Sequence, residues 1–464
     1  MDFAKQKVLQ IWQNFSTDKR YILKGTLGSL ILRVVANVLS FVSTIVLAHI
    51  LGQSVYDDYT YLFAWFSLVG GLSLLGFDNL SLRQMARYQN KKRYDLLKGF
   101  IIVATLITCL VGTLLFFSVY IYSSLTLDNQ LFTIIYLQEN IKSKIWLLVF
   151  LILPFMALTQ VYQHLLQGAK HIISSQIPEM IVRPIVLLCL LIGIYIYQDQ
   201  QLDLETAIYL QLLAIFVAFL ASVYFFWRKI IATMPAKILP TYEIEVWLKA
   251  SASFFLINSI SLINVRTDIL MLGMMQANTE GISAYNIGVR LSEIPKLILI
   301  VTNATLAPLI ASYFSAQKWK ELQKMLTQTA RIVWLLSLPL LMILVVFAAA
   351  ILSIWGQGFV MAKSALQLLC MAQFFNLFFG SVGTVLMMTG HEKKAFIGLI
   401  ISTLCNISCN YALIPKYGLN GAALATLISI FIWNFLLFLI LKKTLQLDSS
   451  ILGFWTFTVQ SSKK

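Results

Sequence analysis

Two runs, Ile332 to Ile354 and Leu419 to Leu441, are apolar almost without interruption. About twenty such residues cross the hydrocarbon of a bilayer as a helix. No water serves the backbone there, so every N–H and C=O must be satisfied within the chain, which leaves only helices or closed barrels. Barrels use short segments of alternating polarity, and these runs do not alternate. With 59% of 464 residues hydrophobic and 12% charged, the pattern predicts an all-α polytopic membrane protein.

Twelve transmembrane helices are expected, at roughly 26–50, 59–82, 99–123, 145–167, 177–197, 205–227, 247–273, 282–311, 332–354, 364–390, 395–414 and 418–441. If the N-terminus is cytoplasmic, only Lys142, Lys144, Lys363 and Lys416 among the connector cations fall outside, and the rest, such as Arg83, Arg87 and Lys91 to Arg93, fall inside. That asymmetry orients the chain, with both termini in the cytoplasm. The formal net charge of +15 is then topology, and no nucleic-acid partner is expected. Asp57, Asp58 and Glu280 fall in external turns. Val8, Ile11, Trp12 and Phe15 have the spacing of an interfacial helix on the cytoplasmic leaflet. Tyr120, Tyr122, Trp146 and Trp355 are expected in the interfacial belts.

The longest polar break inside the chain, Arg228 to Trp247, has six spans on either side. This divides the sequence into a cytoplasmic segment 1–24, an N-lobe 25–228, a linker 229–246, a C-lobe 247–443 and a cytoplasmic tail 444–464. Six spans return the chain to its starting side, so a repeat would be related by a pseudo-two-fold axis along the membrane normal.

Five basic residues fall within spans: Arg33, Arg183, Arg266, Arg290 and Lys296. Even the lenient insertion scale puts such a charge at about 2.5 kcal/mol or more near the bilayer centre, so these groups should face protein or a watery cavity. Arg290, Glu293 and Lys296 recur every three residues, one stripe of a single helix. Counting 1.5 Å per residue places Arg266 and Arg290 at similar depth, where two guanidiniums suited to phosphate oxygens can meet. Four acids share the spans, Asp78, Glu179, Asp268 and Glu293. Glu179 and Arg183 are spaced for a structural ion pair. Glu293 can satisfy only one of its two basic neighbours. Asp268 and Glu293 are also candidates for coupling to a proton or cation. Pro295 interrupts span 8 and Pro308 closes it, while Pro184 and Pro339 kink spans 5 and 9.

Cys109, Cys189, Cys370, Cys405 and Cys409 all lie in spans and none forms a C-x-x-C pair, so they read as core residues and no metal is expected. Nucleotide loops, zinc-protease motifs and nucleophile elbows are missing. An enzyme is not expected, and no cofactor is implied.

Three stretches carry a family resemblance: LRVVANVLSFVSTIVLAHILGQSVYDDY from Leu32, EMIVRPIVLL from Glu179, and AYNIGVRLSEIPKLILIVTNATLAPLIASYFSAQKWKEL from Ala284. Together they resemble the oligosaccharide-lipid flippases, Wzx-type exporters of the multidrug/oligosaccharidyl-lipid/polysaccharide (MATE-like) superfamily. The resemblance implies two six-helix lobes around a cavity that open alternately to either side of a bacterial inner membrane. It implies a polyprenyl-pyrophosphate-linked oligosaccharide substrate for O-antigen- or capsule-type polysaccharide, a coupling ion (H⁺ or Na⁺), contact with membrane lipids, and a polysaccharide polymerase of the same pathway as partner. In such proteins cations of spans 1 and 8 hold the pyrophosphate, which by position are Arg33 and Arg290, with Lys296 and Arg266 beside them. The flippases of peptidoglycan precursors have further C-terminal helices and a second span 1 arginine, where this chain reads ANVLS; the drug antiporters carry an acid where this chain has Arg33. Both remain alternatives.

Overall fold

The computed structural model describes residues 17–125, 143–198, 202–235, 238–275 and 280–453. The expected interfacial segment around Val8 to Phe15 lies outside them, as does most of the external connector after Ser123. The described residues form helices and no strand. In chain order they are α1 (Thr17–Ser73), α2 (Phe77–Asn90), α3 (Tyr94–Leu125), α4 (Ser143–Leu151), α5 (Leu153–Gly168), α6 (Ile172–Ile177), α7 (Arg183–Gln198) and α8 (Leu204–Lys229). There follow α9 (Ile244–Met275), α10 (Ile282–Ser292), α11 (Lys296–Ser315), α12 (Trp319–Val346), α13 (Ala348–Leu352), α14 (Lys363–Phe379), α15 (Val382–Met388), α16 (Glu392–Tyr417) and α17 (Leu419–Leu445).

Among the described residues eleven helices are long and apolar enough to cross a membrane, and the first of these, Ile31–Ser73, has 43 residues. At 1.5 Å per residue that is about twice a bilayer core, so it accounts for two of the twelve expected spans. The break between them is a single residue. Gly52 has φ 71° and ψ 166°, a region open essentially to glycine alone. The external turn expected around Asp57 is therefore helical, and Asp57 is buried at 1% exposure.

Two further expectations are corrected. α11 runs seven residues beyond Pro308, because a proline in a lipid-facing helix removes one bond and leaves the rest of the ladder standing. Trp146 and Trp355 are buried, at 5% and 4%, so packing within the protein rather than the headgroup belt takes them up.

Two compact units emerge. The first holds the chain up to Leu47, Gly70–Ile121 and Leu147–Phe255. Its core packs Phe77, Leu80, Phe100, Val161, Leu165 and Trp247, with the Phe100 and Trp247 rings edge to face at 5.3 Å. Trp247 Nε1 donates to Tyr88 Oη at 2.9 Å. The polar stretch after α8 is fastened here: Thr241 N donates to Asp95 O at 3.1 Å and Lys98 Nζ to Ile238 O at 3.1 Å. A Cβ at Gly99 would drive into the Thr241 carbonyl, so that close approach requires glycine.

The second unit holds Ala48–Val69 and the chain from Leu256. Its core joins Leu306, Ile310, Leu322, Val385, Leu437 and Leu441. Beyond α17, residues 446–453 stay against the protein. Gln323 brackets Asp448, its Oε1 accepting from the Asp448 N–H at 2.8 Å and its Nε2 donating to the Asp448 carbonyl at 2.6 Å. Arg331 Nε reaches Ile451 O at 2.9 Å, and Leu447, Asp448, Ser449 and Ser450 are buried.

Candidate functional site

Most of the ionisable groups expected at membrane depth sit in the second unit. α10 starts behind Gly281, whose φ of 81° is left-handed. A carboxylate from another segment caps it. Asp57 accepts from the Gly281 N–H at 2.9 Å, from the Ser283 N–H at 2.8 Å and from the Ser283 hydroxyl. A negative group against the orphan N–H groups of a helix start satisfies them and offsets the helix dipole. The same segment is held nearby by Gln53 Nε2, 3.1 Å from Met361 Sδ, and by Tyr56, whose ring lies 6.1 Å from that of Phe359.

Arg290 occupies the last turn of α10 and is exposed. The stripe of Arg290, Glu293 and Lys296 does not lie on one continuous helix, as expected above. α10 ends at Ser292 and α11 begins at Lys296, because Pro295 has no N–H to give and its ring crowds the carbonyl one turn back. The break tightens into three-residue turns, Ile294 N to Leu291 O at 3.1 Å and Leu297 N to Ile294 O at 3.1 Å. Ser337 Oγ of α12 donates to the Pro295 carbonyl at 3.3 Å, a second bond beside that from the Ile298 N–H, which ties the break to a neighbouring helix.

Around this break the cations converge. Arg266 of α9 is within electrostatic reach of both Arg290 and Glu293, and Arg290 of the Tyr56 hydroxyl. Arg266 Nε is buried and has no hydrogen-bond partner. Lys296 Nζ donates to Glu293 Oε1 at 3.0 Å, with side chains 36% and 49% exposed, so Glu293 takes Lys296. Where water reaches, such a pair is worth about 1 kcal/mol or less and yields readily to a stronger anion. A guanidinium with a buried, unsatisfied N–H beside Arg290 and a carboxylate already paired with Lys296 has the donor chemistry that suits an oxyanion.

Asp268 is placed differently. Its Oδ1 accepts from Asn410 Nδ2 at 2.7 Å and from Asn406 Nδ2 at 3.1 Å. Its Oδ2 accepts from Tyr285 Oη at 2.8 Å and from the Thr426 hydroxyl. Four neutral donors from α10, α16 and α17 thus surround one carboxylate of α9. The Oδ1 of Asn410 is buried and has no hydrogen-bond partner. All four groups turn N–H or O–H toward Asp268, so its charge is held by neutral donors inside the protein.

The first unit holds the remaining expected residues. Arg33 is exposed on α1. Glu179 lies in a single wide turn, Pro178–Val182, and its carboxylate accepts from Arg183 at the start of α7. Wide turns of this kind mark places where a helix departs from regular geometry. Their side chains are 31% and 21% exposed.

A family model described as polysaccharide biosynthesis protein matches residues 22–314, more than half of the chain. The chain belongs to that family. A second model, MatE, matches residues 250–412. A probable flippase, AglR of Haloferax volcanii, is 27% identical over 183 residues, 39% of this chain and 38% of that protein. The match thus spans well under half of that relative. Among solved structures, an inward-facing multidrug-resistance MATE transporter of the MOP superfamily has a TM-score of 0.71 at 15% identity, covering 88% of this chain and 96% of that one. A MOP-superfamily transporter from Pyrococcus furiosus, reported with a binding pocket of reversed polarity, has a TM-score of 0.62 at 14% identity, covering 92% and 96%. The chain has the all-α, twelve-span, two-lobed fold of these MATE-like proteins.

Reading the sequence of this family member missed the neutral half of the site. Asn406 and Asn410 lie four residues apart on one face of an otherwise apolar helix, and that spacing was signal enough. Asp57 carries no such local signal, since its partners are more than 200 positions away.

Proposed function

We propose that this protein is a flippase. It moves a polyprenyl-pyrophosphate-linked oligosaccharide from the cytoplasmic to the external leaflet of a bacterial inner membrane by alternating access, for O-antigen- or capsule-type polysaccharide. No covalent chemistry is required. The observation that carries the reading is Arg266, within electrostatic reach of Arg290 and Glu293 and with its Nε buried and unsatisfied, beside the Glu293–Lys296 pair at the break in span 8. Arg290 and Lys296, joined by Arg266, bind the pyrophosphate, and Arg33 captures it in the N-lobe. Asp268, ringed by amide and hydroxyl groups, couples transport to Na⁺ or H⁺, with Glu293 as the weaker candidate because Lys296 occupies it. A polymerase of the same pathway takes the delivered unit.

Arg290→Ala tests this. The variant inserts in the membrane at the wild-type level, and delivery of lipid-linked glycan to the outer leaflet falls at least tenfold. Full delivery by a well-expressed Arg290→Ala protein rejects the assignment. A cationic drug would be repelled by the same cluster, so drug-dependent ion flux in liposomes is expected to be absent.

A further inference from the structure

In the first unit α5 is enclosed along most of its surface. Between Ala157 and Gly168 only Gln160, Gln163, His164 and Gln167 are not buried. Their spacing of i, i+3, i+4 and i+7 makes them a single stripe of the helix. Every open position on this stretch of a membrane-spanning helix is therefore polar. The same unit turns faces of the opposite kind to lipid, with Leu106, Leu110 and Leu114 exposed on α3 and Leu213 and Leu220 on α8. Amides set against hydrocarbon are unmet and unfavourable, so the α5 stripe belongs to a hydrated space.

The donors and acceptors of the stripe are unspent. Among the described residues the side-chain amides of Gln160, Gln163 and Gln167 have no hydrogen-bond partner. His164 Nδ1 lies 2.8 Å from the Gln160 carbonyl. A carbonyl oxygen only accepts, so Nδ1 carries the hydrogen and Nε2 of the neutral ring is an acceptor. Each glutamine adds an acceptor oxygen and an NH₂ group that donates twice. Over the two turns from Gln160 to Gln167, about 10 Å of helix, the protein thus offers uncharged groups of both kinds. A phosphate seeks cations, and the stripe has none. Sugar hydroxyls, each able to donate and to accept, match it.

We infer that this stripe binds the oligosaccharide of the lipid-linked substrate. The inference rests on the flippase reading above and deepens it: cations hold the pyrophosphate, Arg33 of the same unit among them, and α5 holds the glycan. Arg33 and Gln160 lie at similar depth from the cytoplasmic ends of spans 1 and 4, so both meet a substrate that enters from the inner leaflet. Neutral amides grip hydroxyls and leave the lipid pyrophosphate alone, which makes the stripe the part of the protein that tells a sugar-bearing lipid from a bare one.

The test measures the binding of two lipids to the full-length protein in nanodiscs: polyprenyl pyrophosphate bearing the cell's own oligosaccharide, and the same polyprenyl pyrophosphate without sugar. The unsubstituted protein is expected to favour the first. Gln160→Met, Gln163→Met and Gln167→Met together keep the length of each side chain and remove its hydrogen bonds. They should weaken binding of the sugar-bearing lipid by about tenfold or more and leave that of the bare lipid unchanged, whereas Arg290→Ala weakens both. Gln163→Met alone, with an expected loss of about threefold, replaces the triple variant if that fails to insert. No preference in the unsubstituted protein, equal weakening of both lipids, or an undiminished preference in the variants overturns the inference. If that result comes with loss of both lipids on Arg290→Ala, the sugar site fails and the flippase reading survives. An unsubstituted protein that binds neither lipid rejects the reading itself.

Discussion

Asp57 and Asp268 are both carboxylates held by neutral donors, and they make opposite predictions. Asp57 has partners on the backbone of α10, so its removal leaves buried N–H groups unmet. Asp57→Ala is expected to lower stability by about 2–4 kcal/mol, seen as a reduced thermal midpoint of the detergent-purified protein. Asp268 has only side-chain donors, and Asp268→Asn keeps the shape of the cluster while removing its charge. That variant should still bind lipid-linked glycan and lose the dependence of transport on a Na⁺ or proton gradient, measured in proteoliposomes. Outside the membrane, burial, helped by Lys229, pushes the His171 imidazole below its usual pKa. The neutral form is therefore favoured in the folded state, and its contribution is present above the unfolded value of about pH 6.5 and is lost as pH falls from there through the lower folded-state pKa. His171→Gln should flatten the decline of the thermal midpoint below pH 6.5.

Helix breaks decide where the side chains point. Between α10 and α11 the interruption turns three residues that share a stripe by spacing into a cluster, with Glu293 bonded to Lys296 and Arg290 on the preceding helix. Pro295→Ala restores an N–H one turn from a carbonyl and favours a continuous helix, with a gain in stability of about 1 kcal/mol or more. Transport should nevertheless fall at least tenfold, because straightening changes the direction of α11 relative to α10 and with it the positions of Lys296 and Arg290 relative to Arg266. A rise in activity on Pro295→Ala would show the break to be incidental. At Gly52 the sign is reversed. Alanine cannot adopt φ 71°, ψ 166° without strain, so Gly52→Ala is expected to cost about 1–3 kcal/mol, again read from the thermal midpoint.

At the scale of the molecule, segments that look like connectors are part of the packing. The stretch from Ile238 to Thr241 is bonded to the start of α3, and residues 446–453 are drawn into the second unit by Gln323, Arg331 and the Phe379 carbonyl. Ending the chain after Leu445 exposes the apolar bed of Leu447 and leaves Gln323 with Thr327 alone, its Oε1 unmet. A loss of about 3–5 kcal/mol follows, and limited proteolysis of the purified truncated protein should cut near Trp319 faster than in the full chain. Equal protease resistance would show the segment to be a passive tail.

Hydropathy and charge asymmetry determined the all-helical class and the approximate spans, because a bilayer admits few backbone solutions and burial of charge is too unfavourable to be accidental. The spacing of Glu179 and Arg183 likewise announced a contact that the helix geometry makes. Only the tertiary structure decided that Asp57 is a buried cap rather than a solvated turn, that Arg266 approaches Arg290, and that Asn406, Asn410, Tyr285 and Thr426 close around Asp268. Those contacts join residues tens to hundreds of positions apart. Hydropathy reports only whether a side chain favours lipid, whereas hydrogen bonding between neutral polar groups depends on which helix faces become neighbours, and that is settled when the helices pack.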